Sequence, residues 1–442
     1  MKNVISVPGR DVPILAHADV VVAGGGPSGF AAAITAARAG LQVILIERYG
    51  FLGGLATAGA VGTLCGLYLH HPDRIEPIIA GIATEITTAL SARGGAFGPL
   101  IREGFTALLY NPWHMKRLCD DWIEKEKNIN LMLHSTVADA VVSDGAIRAL
   151  LIAGPEGLKA VTGRVFIDAT GDAMVATAAG VPTVTGDHAG AVMNPTMMFF
   201  AQGMDFALYQ EKGMPALDDR IQDAIKERKY PLTVSKGLVI PTFRPGEAIV
   251  KLSSLAKDGR ALSGSVIADI TYAELKGRKD AEIAMEFLNK EIPGFAGAFL
   301  SDTAVQVGIR ETRRIVGRYV LTEADVLDGR LFDDAVCLSS WPLEIWEGGK
   351  EPRMVFLPEG RYYGIPYRSL LCREINNLLV TGRAISMDHG ALASVRVMGP
   401  CLAEGQAAGT ACALALSSGQ SIDAVDTGKL REMLAKDGAR LK

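Results

Sequence analysis

The sequence predicts an α/β fold: a parallel sheet and a β-meander, with an α+β segment inserted into the chain. Three observations carry this expectation. Residues 18–47 change hydrophobic period twice, from an apolar run to an alanine-rich stretch and back to an apolar run. Residues 137–167 alternate around two glycine-containing turns. Residues 205–290 then turn to charged helix-like and short extended pieces, before apolar strand signals resume at Leu378.

The elements follow in order. Ala18–Ala23 (ADVVVA) is a β-branched run suited to a strand buried on both faces. Pro27–Ala39 is rich in alanine, the best helix former, and Gly40 stands where a helix-ending glycine belongs. Val43–Ile46 (VILI) is the next buried strand and stops on Glu47, completing a βαβ unit of Rossmann-like type. Val137–Val142 and Ala146–Ile152 flank Asp144-Gly145, a strong hairpin signal. A second turn at Gly154–Gly157 leads into Leu158–Ile167, which makes the meander. In the insert, Asp218–Lys229 and Tyr272–Lys290 read as helices, and Leu238–Pro241 and Ala248–Leu252 as extended. Leu378–Val380 is a strand, Pro400–Leu416 a small-residue helix, and 421–442 a polar surface helix.

Composition narrows the class. Apolar residues make up 49% and charged residues 21%, which suits a folded core and excludes disorder. A net charge of −4 gives no basic field for nucleic acid and no acidic tail. The six cysteines are scattered with no C-x-x-C, which argues against iron–sulfur, zinc-ribbon and disulfide frameworks and fits a reducing, cytoplasmic setting. Residues 1–19 lack the apolar core of a secretory signal. Val20–Ala37 and Phe51–Leu69 are uncharged, but glycines interrupt both, and neither reads as a membrane span. Glycine is in excess, 49 in 442 residues, and eleven of these fall within residues 20–66.

That window holds the strongest local motif, Gly24-Gly25-Gly26-Pro27-Ser28-Gly29, read as G-x-G-x-x-G. The first glycine permits the tight turn, the second admits a pyrophosphate, and the third lets helix and strand pack closely. A helix N-terminus beside them offers free N–H groups to phosphates. Glu47 ends the second strand, where a carboxylate accepts from ribose hydroxyls and disfavours a 2′-phosphate. A dinucleotide follows, but the motif alone does not choose NAD or FAD. Arg48–Thr57, with Gly53 and Gly54, suits backbone wrapped around an extended cofactor; a surface turn is the alternative.

ERYGFLGGLATAG (47–59), FIDATGDA (166–173), GIRETRRIVG (308–317), YYGIPYRSLL (362–371) and TGRAIS…ALASVRVMGPCLAEGQAAGTA (381–411) occur in this order. Together they resemble the bacterial FAD-dependent oxidoreductase family related to fumarate-reductase-type flavoproteins, with its glutathione-reductase-like FAD fold. The resemblance spans nearly the whole chain and is weakest over about 205–300. It implies a discontinuous FAD-binding domain (1–185 and 375–420), a substrate or cap domain (186–374) and a C-terminal surface helix. It implies FAD contacts at Gly24, Gly26, Pro27, Ser28, Gly29, Glu47, Arg48, Gly53, Gly54, Leu55 and Ala56. Val137 and Ala169-Thr170-Gly171-Asp172 would join them, with Gly382-Arg383 near the pyrophosphate and ribityl chain. Ser394–Met398, including Arg396, Val397 and Met398, would set backbone amides at the flavin ring.

Substrate-side candidates are fewer. Arg310, Arg313 and Arg314 stand at i, i+3 and i+4, so a helix here would put three guanidiniums on one face with Glu311 turned elsewhere. A solvated charged face is the competing reading. Arg368 and Arg396 would extend an anion pocket. His389 is a candidate for the proton that accompanies hydride transfer, and Tyr363 or Tyr362 for the same work. His70-His71 lack a third ligand, so no metal site is expected. Cys65 reads as a buried small residue before a thiol nucleophile or flavin link, and Met193, Met197 and Met198 as strand core.

The expectation is an oxidoreductase with non-covalent FAD, passing a hydride between flavin N5 and a small polar, anionic substrate. A second G-x-G-x-x-G for NAD(P)H is missing, so the electron partner is left open. A flavin monooxygenase, and a non-redox NAD- or FAD-binding biosynthetic or RNA-modifying protein, are the alternatives. Near-neutral charge speaks against nucleic acid; no membrane span is expected, and a homo-oligomer stays open.

Overall fold

A computed structural model describes residues 9–102, 105–346 and 352–442, with the Arg102 side chain left out. The extreme N-terminal residues considered above as a signal lie partly outside this range.

The central sheet has seven strands. In spatial order, Ile129–Met132, Val43–Ile46 (β2), Ile14–Ala23 (β1) and Gly157–Asp168 run parallel. The edge of Gly157–Asp168 away from β1 is shared. Ala146–Gly154 pairs antiparallel with its first part and leads on to Thr136–Ser143, while Leu378–Val380 runs parallel beside Phe166–Asp168. The meander and the returning C-terminal strand thus occupy one edge in succession. Val20, Val21 and Val22 at the centre are fully buried, which is what a β-branched run without polar alternation requires.

Helix Pro27–Arg38 (α1) follows β1, and the long helix Met398–Ser418 packs across it. The close approach depends on small residues. A Cβ on Gly405 would fall 2.0 Å from the Ser28 carbonyl oxygen, and one on Gly409 2.6 Å from that of Ala32. Helix 398–418 is buried along almost its whole length, so its small-residue pattern packs on several sides at once.

A second, antiparallel sheet has the order Leu238–Pro241, Glu247–Lys251, Met198–Gln202, Phe299–Thr303. Helices Met214–Lys226 and Ile267–Glu291 accompany it. A third, small sheet joins Thr63–Leu64, Phe105–Tyr110 and Ala96–Arg102. Among the described residues, no helix is long and apolar enough to cross a membrane.

Several expectations need correction. Residues 308–312 are not helical, and Arg313–Ile315 is a strand paired with Thr183–Thr185. Thr312, Ile315 and Val316 are β-branched and favour the extended chain, so the arginines do not share a helical face. Of the three methionines read as strand core, only Met198 lies in a strand; Met193 and Met197 are buried in the loop before it. Helices Ile82–Ala92 and Pro112–Lys125 carry no sequence-based expectation above.

Candidate active site

The parallel strands end on one rim. The residues immediately beyond three of them, Gly24, Ala169 and Thr381, and Glu47 just past β2, line a single cleft of about 900 Å³. This is where open α/β sheets bind ligands, at the carboxyl ends of their strands.

At one end the glycine turn is shaped by close approach. Gly24 has φ +98°, and a Cβ there would meet the Ala169 carbonyl oxygen at 2.4 Å. A Cβ on Gly29 would lie 1.8 Å from the Gly24 oxygen. Gly26 differs, since its Cβ would find only Gly54 Cα, at 3.8 Å, beside open cleft. Helix α1 starts there with Pro27 in its first turn and no side-chain cap, leaving its first N–H groups for a ligand. Glu47 is buried; its carboxylate accepts from Gly25 N at 2.7 Å and Tyr49 N at 3.0 Å. Burial raises its pKa, and these backbone donors and Arg48 oppose the rise.

The other rim segments are tied to this one. Asp168 accepts from the Thr170 hydroxyl at 2.7 Å and from Ala176 N at 3.0 Å, fixing the turn 169–172. Arg383 donates to Gly171 O at 2.6 Å and Ile309 O at 2.8 Å, and pairs with Asp172. Its guanidinium therefore holds the rim together. Gly382 N donates to Glu404 at 2.6 Å; Glu404 is fully buried, and burial pushes its carboxyl far above the ordinary range.

These residues fit an extended dinucleotide. Two buried hydroxyls of cleft-lining residues, Ser28 Oγ and Thr381 Oγ1, have no hydrogen-bond partner among the described residues. A buried hydroxyl without a partner calls for a ligand or water. Leu55, Val137, Arg396, Val397 and Met398 also line the cleft. Gly29, Gly53, Ala56 and Asp172 stand behind the lining: Gly29 in the helix–strand packing, Asp172 under Arg383 and Arg48.

The far end holds charge. Arg310 donates to the Asn194 carbonyl and to Thr196 Oγ1 (2.8 Å), and its Cζ lies 4.3 Å from the Trp346 ring centroid. Lys251 Nζ lies 4.5 Å from the same centroid. Arg396 pairs with Glu344 at 3.2 Å. Burial lowers the Lys251 pKa to about 8, with Arg310 and Arg396 adding to the fall and Glu344 opposing it. Burial and then Arg396 pull Arg310 down as well, although a guanidinium keeps its proton at any working pH. Burial would raise Glu344, but Arg396, Lys251 and Arg310 outweigh it and hold the carboxyl low. Among the described residues, Lys251, Arg310 and Arg396 thus face the single carboxylate of Glu344. Among the described residues, no carboxylate oxygen lies within 4 Å of Lys251 Nζ or of the Arg310 guanidinium.

Arg310 is the one proposed catalytic residue that the structure brings to the cleft. Glu311 and Arg314 are buried as an ion pair; Glu311 accepts from Met193 N at 2.9 Å, and Arg314 donates to Gly186 O at 2.8 Å. His389 Nδ1 stands 3.0 Å from Glu311, away from the cleft lining. Tyr363 is fully buried and shares a 2.6 Å hydrogen bond with Ser394, whose hydroxyl donates to Trp341 O. Burial drives the Tyr363 phenol upward, and the phenol reaches Trp341 only through Ser394. Arg368 pairs with Asp334 and Arg313 donates to Asp172 O, both off the lining. Cys65 lines the cleft, and burial pushes its thiol up to about 11, which keeps it protonated. His71 pairs with Glu359, while His70 packs on Phe356.

Sequence reasoning missed Lys251, Glu344 and Trp346. Lys251 does carry a signal, a lone cation directly after the apolar run Ala248–Val250 and before Leu252.

The model of the FAD dependent oxidoreductase family matches residues 19–434. Digeranylgeranylglycerophospholipid reductase 2 of Methanopyrus kandleri is 30% identical over 282 residues, 58% of this chain and 63% of that protein. Urocanate reductase of Eggerthella lenta is 47% identical over 86 residues, 19% of this chain and 14% of that protein. The chain therefore matches less than two thirds of the length of either relative. Among solved structures, the p-nitrophenol 4-monooxygenase of Pseudomonas putida superposes with a TM-score of 0.49 at 12% identity, covering 95% of this chain and 86% of that one. The match of the family model over nearly the whole chain makes this protein a member of the FAD-dependent oxidoreductase family, with FAD as its cofactor.

Proposed function

We propose that the enzyme oxidises or reduces an anionic substrate, bound by Arg310, Lys251 and Arg396. The observation that carries this reading is the surplus of cations over Glu344 in a partly buried cleft continuous with the cofactor-holding residues. Buried like charges repel, and an incoming carboxylate or phosphate relieves that cost. FAD bound at the rim supplies a two-electron acceptor or donor for a carbon-bound hydride. The protein's own part is positional and protonic. Arg310, fixed through Asn194 O and Thr196, presents a planar donor edge to the anion. Lys251, with a pKa of about 8, carries its proton at neutral pH and can release it to the substrate oxygen. Trp346 lies against both cations and keeps water from them.

In this reading segment 186–374 supplies the substrate side, since Lys251, Arg310 and Glu344 all fall within it. Segments 1–185 and 375–420 hold the cofactor. The test is an anaerobic screen of carboxylates and phosphates against the FAD-loaded protein, following flavin absorbance. Bleaching by an anion, and none by its uncharged ester or amide, supports the reading. Substrate-stimulated NADPH consumption without direct bleaching moves the assignment to a monooxygenase.

A further inference from the structure

The cations share the cleft with many apolar residues. Leu238 and Met198 face Lys251 from the two neighbouring strands, in register, so a lysine is flanked on both sides by aliphatic groups. All three line the cleft. The paired strands Ala96–Arg102 and Phe105–Tyr110 add Phe97, Leu100 and Phe105 to the lining. Phe105 packs against Trp341 with ring centroids 5.0 Å apart. Leu100 (52% exposed) and Met214 (46%) are apolar lining residues open to solvent. A small polar anion would satisfy the cations and leave these walls wetted, whereas a hydrocarbon body covering them gains free energy in proportion to the area removed from water.

Resting on the reading above, we propose that the substrate is an amphipathic anion, with a carboxylate or phosphate head at Arg310 and Lys251 and a hydrocarbon body along Leu238, Phe105 and Leu100. This departs from the polar substrate that the sequence led us to expect. The head alone is recognised by charge; the body supplies the affinity.

The experiment uses the FAD-loaded enzyme and measures equilibrium binding of acetate, hexanoate, octanoate, decanoate, decyl phosphate and 1-decanol. Trp341 and Trp346 line the cleft, so their fluorescence reports occupancy alongside the flavin spectrum. Affinity rises about fourfold per added methylene from hexanoate to decanoate. Decanoate or decyl phosphate binds at least tenfold tighter than decanol, and the better of the two identifies the head group. Leu100→Ser and Met214→Ser, both at exposed lining positions, weaken decanoate several-fold and leave acetate unchanged. Acetate binding as tightly as decanoate overturns the hydrocarbon body and leaves the anion reading standing. Decanol binding as tightly as decanoate overturns both.

Discussion

The Arg310 guanidinium carbon lies 4.3 Å from the centroid of the Trp346 ring, inside the cleft whose other end is formed by the glycine turn. Asn194 joins the two residues, since its carbonyl accepts from Arg310 and its N–H donates to Trp346 O at 2.9 Å. Among the described residues, the arginine is thereby held with no carboxylate oxygen within 4 Å of its guanidinium.

On the proposed anion reading, Lys251 makes the site pH-dependent. Its pKa is lowered to about 8 by burial, so it is charged below that value and neutral above it. Affinity for an anion is therefore greatest below pH 8 and falls as pH rises through it, by about tenfold if one charged contact is lost. Lys251→Met removes this step and binds at the high-pH level throughout. Titrations of decanoate at pH 6.5 and 9.5 with both proteins check the point.

Gly26 and Gly29 separate cofactor binding from folding. Alanine at Gly29 places a methyl 1.8 Å from the Gly24 oxygen, and Gly29→Ala yields little folded protein. Gly26→Ala meets nothing closer than 3.8 Å. It folds with an apoprotein melting temperature close to wild type, yet binds FAD at least tenfold more weakly because the methyl occupies the pyrophosphate's approach. Thermal melts of the apoproteins and FAD fluorescence titrations read the two effects separately.

Glu311→Ala leaves Arg314 charged and buried without its carboxylate, and removes the acceptor for Gly186 N and Met193 N. Breaking a buried pair from one side costs about 3–5 kcal/mol. Chemical denaturation should show a loss of that order, whereas Arg117→Ala, in an exposed pair with Asp120, changes stability by less than about 1 kcal/mol.

The cofactor half of the site was legible in the sequence because it is local and made of backbone. Gly24, Gly26, Gly29 and Glu47 lie within one βαβ unit, and each is needed for a turn, a close approach or a strand-end acceptor. The proposed substrate half is assembled from distant segments, with Lys251 on one sheet, Arg310 on an extended loop, Glu344 in the short strand Leu343–Ile345 and Trp346 just past it. No spacing rule links them. A helix would have set the i, i+3, i+4 arginines on one face, but Thr312, Ile315 and Val316 favour an extended segment, and Arg310 and Arg314 lie in different environments. His389 and Tyr363 looked reactive by residue type and by proximity to cofactor motifs. His389, half-buried beside Glu311, and Tyr363, fully buried beside Ser394, both stand off the cleft lining, so proximity in sequence did not carry them into it.

The central claim is that Arg310 recognises an anion that reacts at the flavin. The most direct measurement is the anaerobic rate of flavin bleaching by the best anionic substrate from the screen, for wild type and for Arg310→Met at equal FAD occupancy. The account predicts at least a hundredfold loss in apparent second-order rate for the variant, while an uncharged analogue of that substrate reacts equally slowly with both proteins. Unchanged bleaching by Arg310→Met, with FAD fully bound, would contradict it.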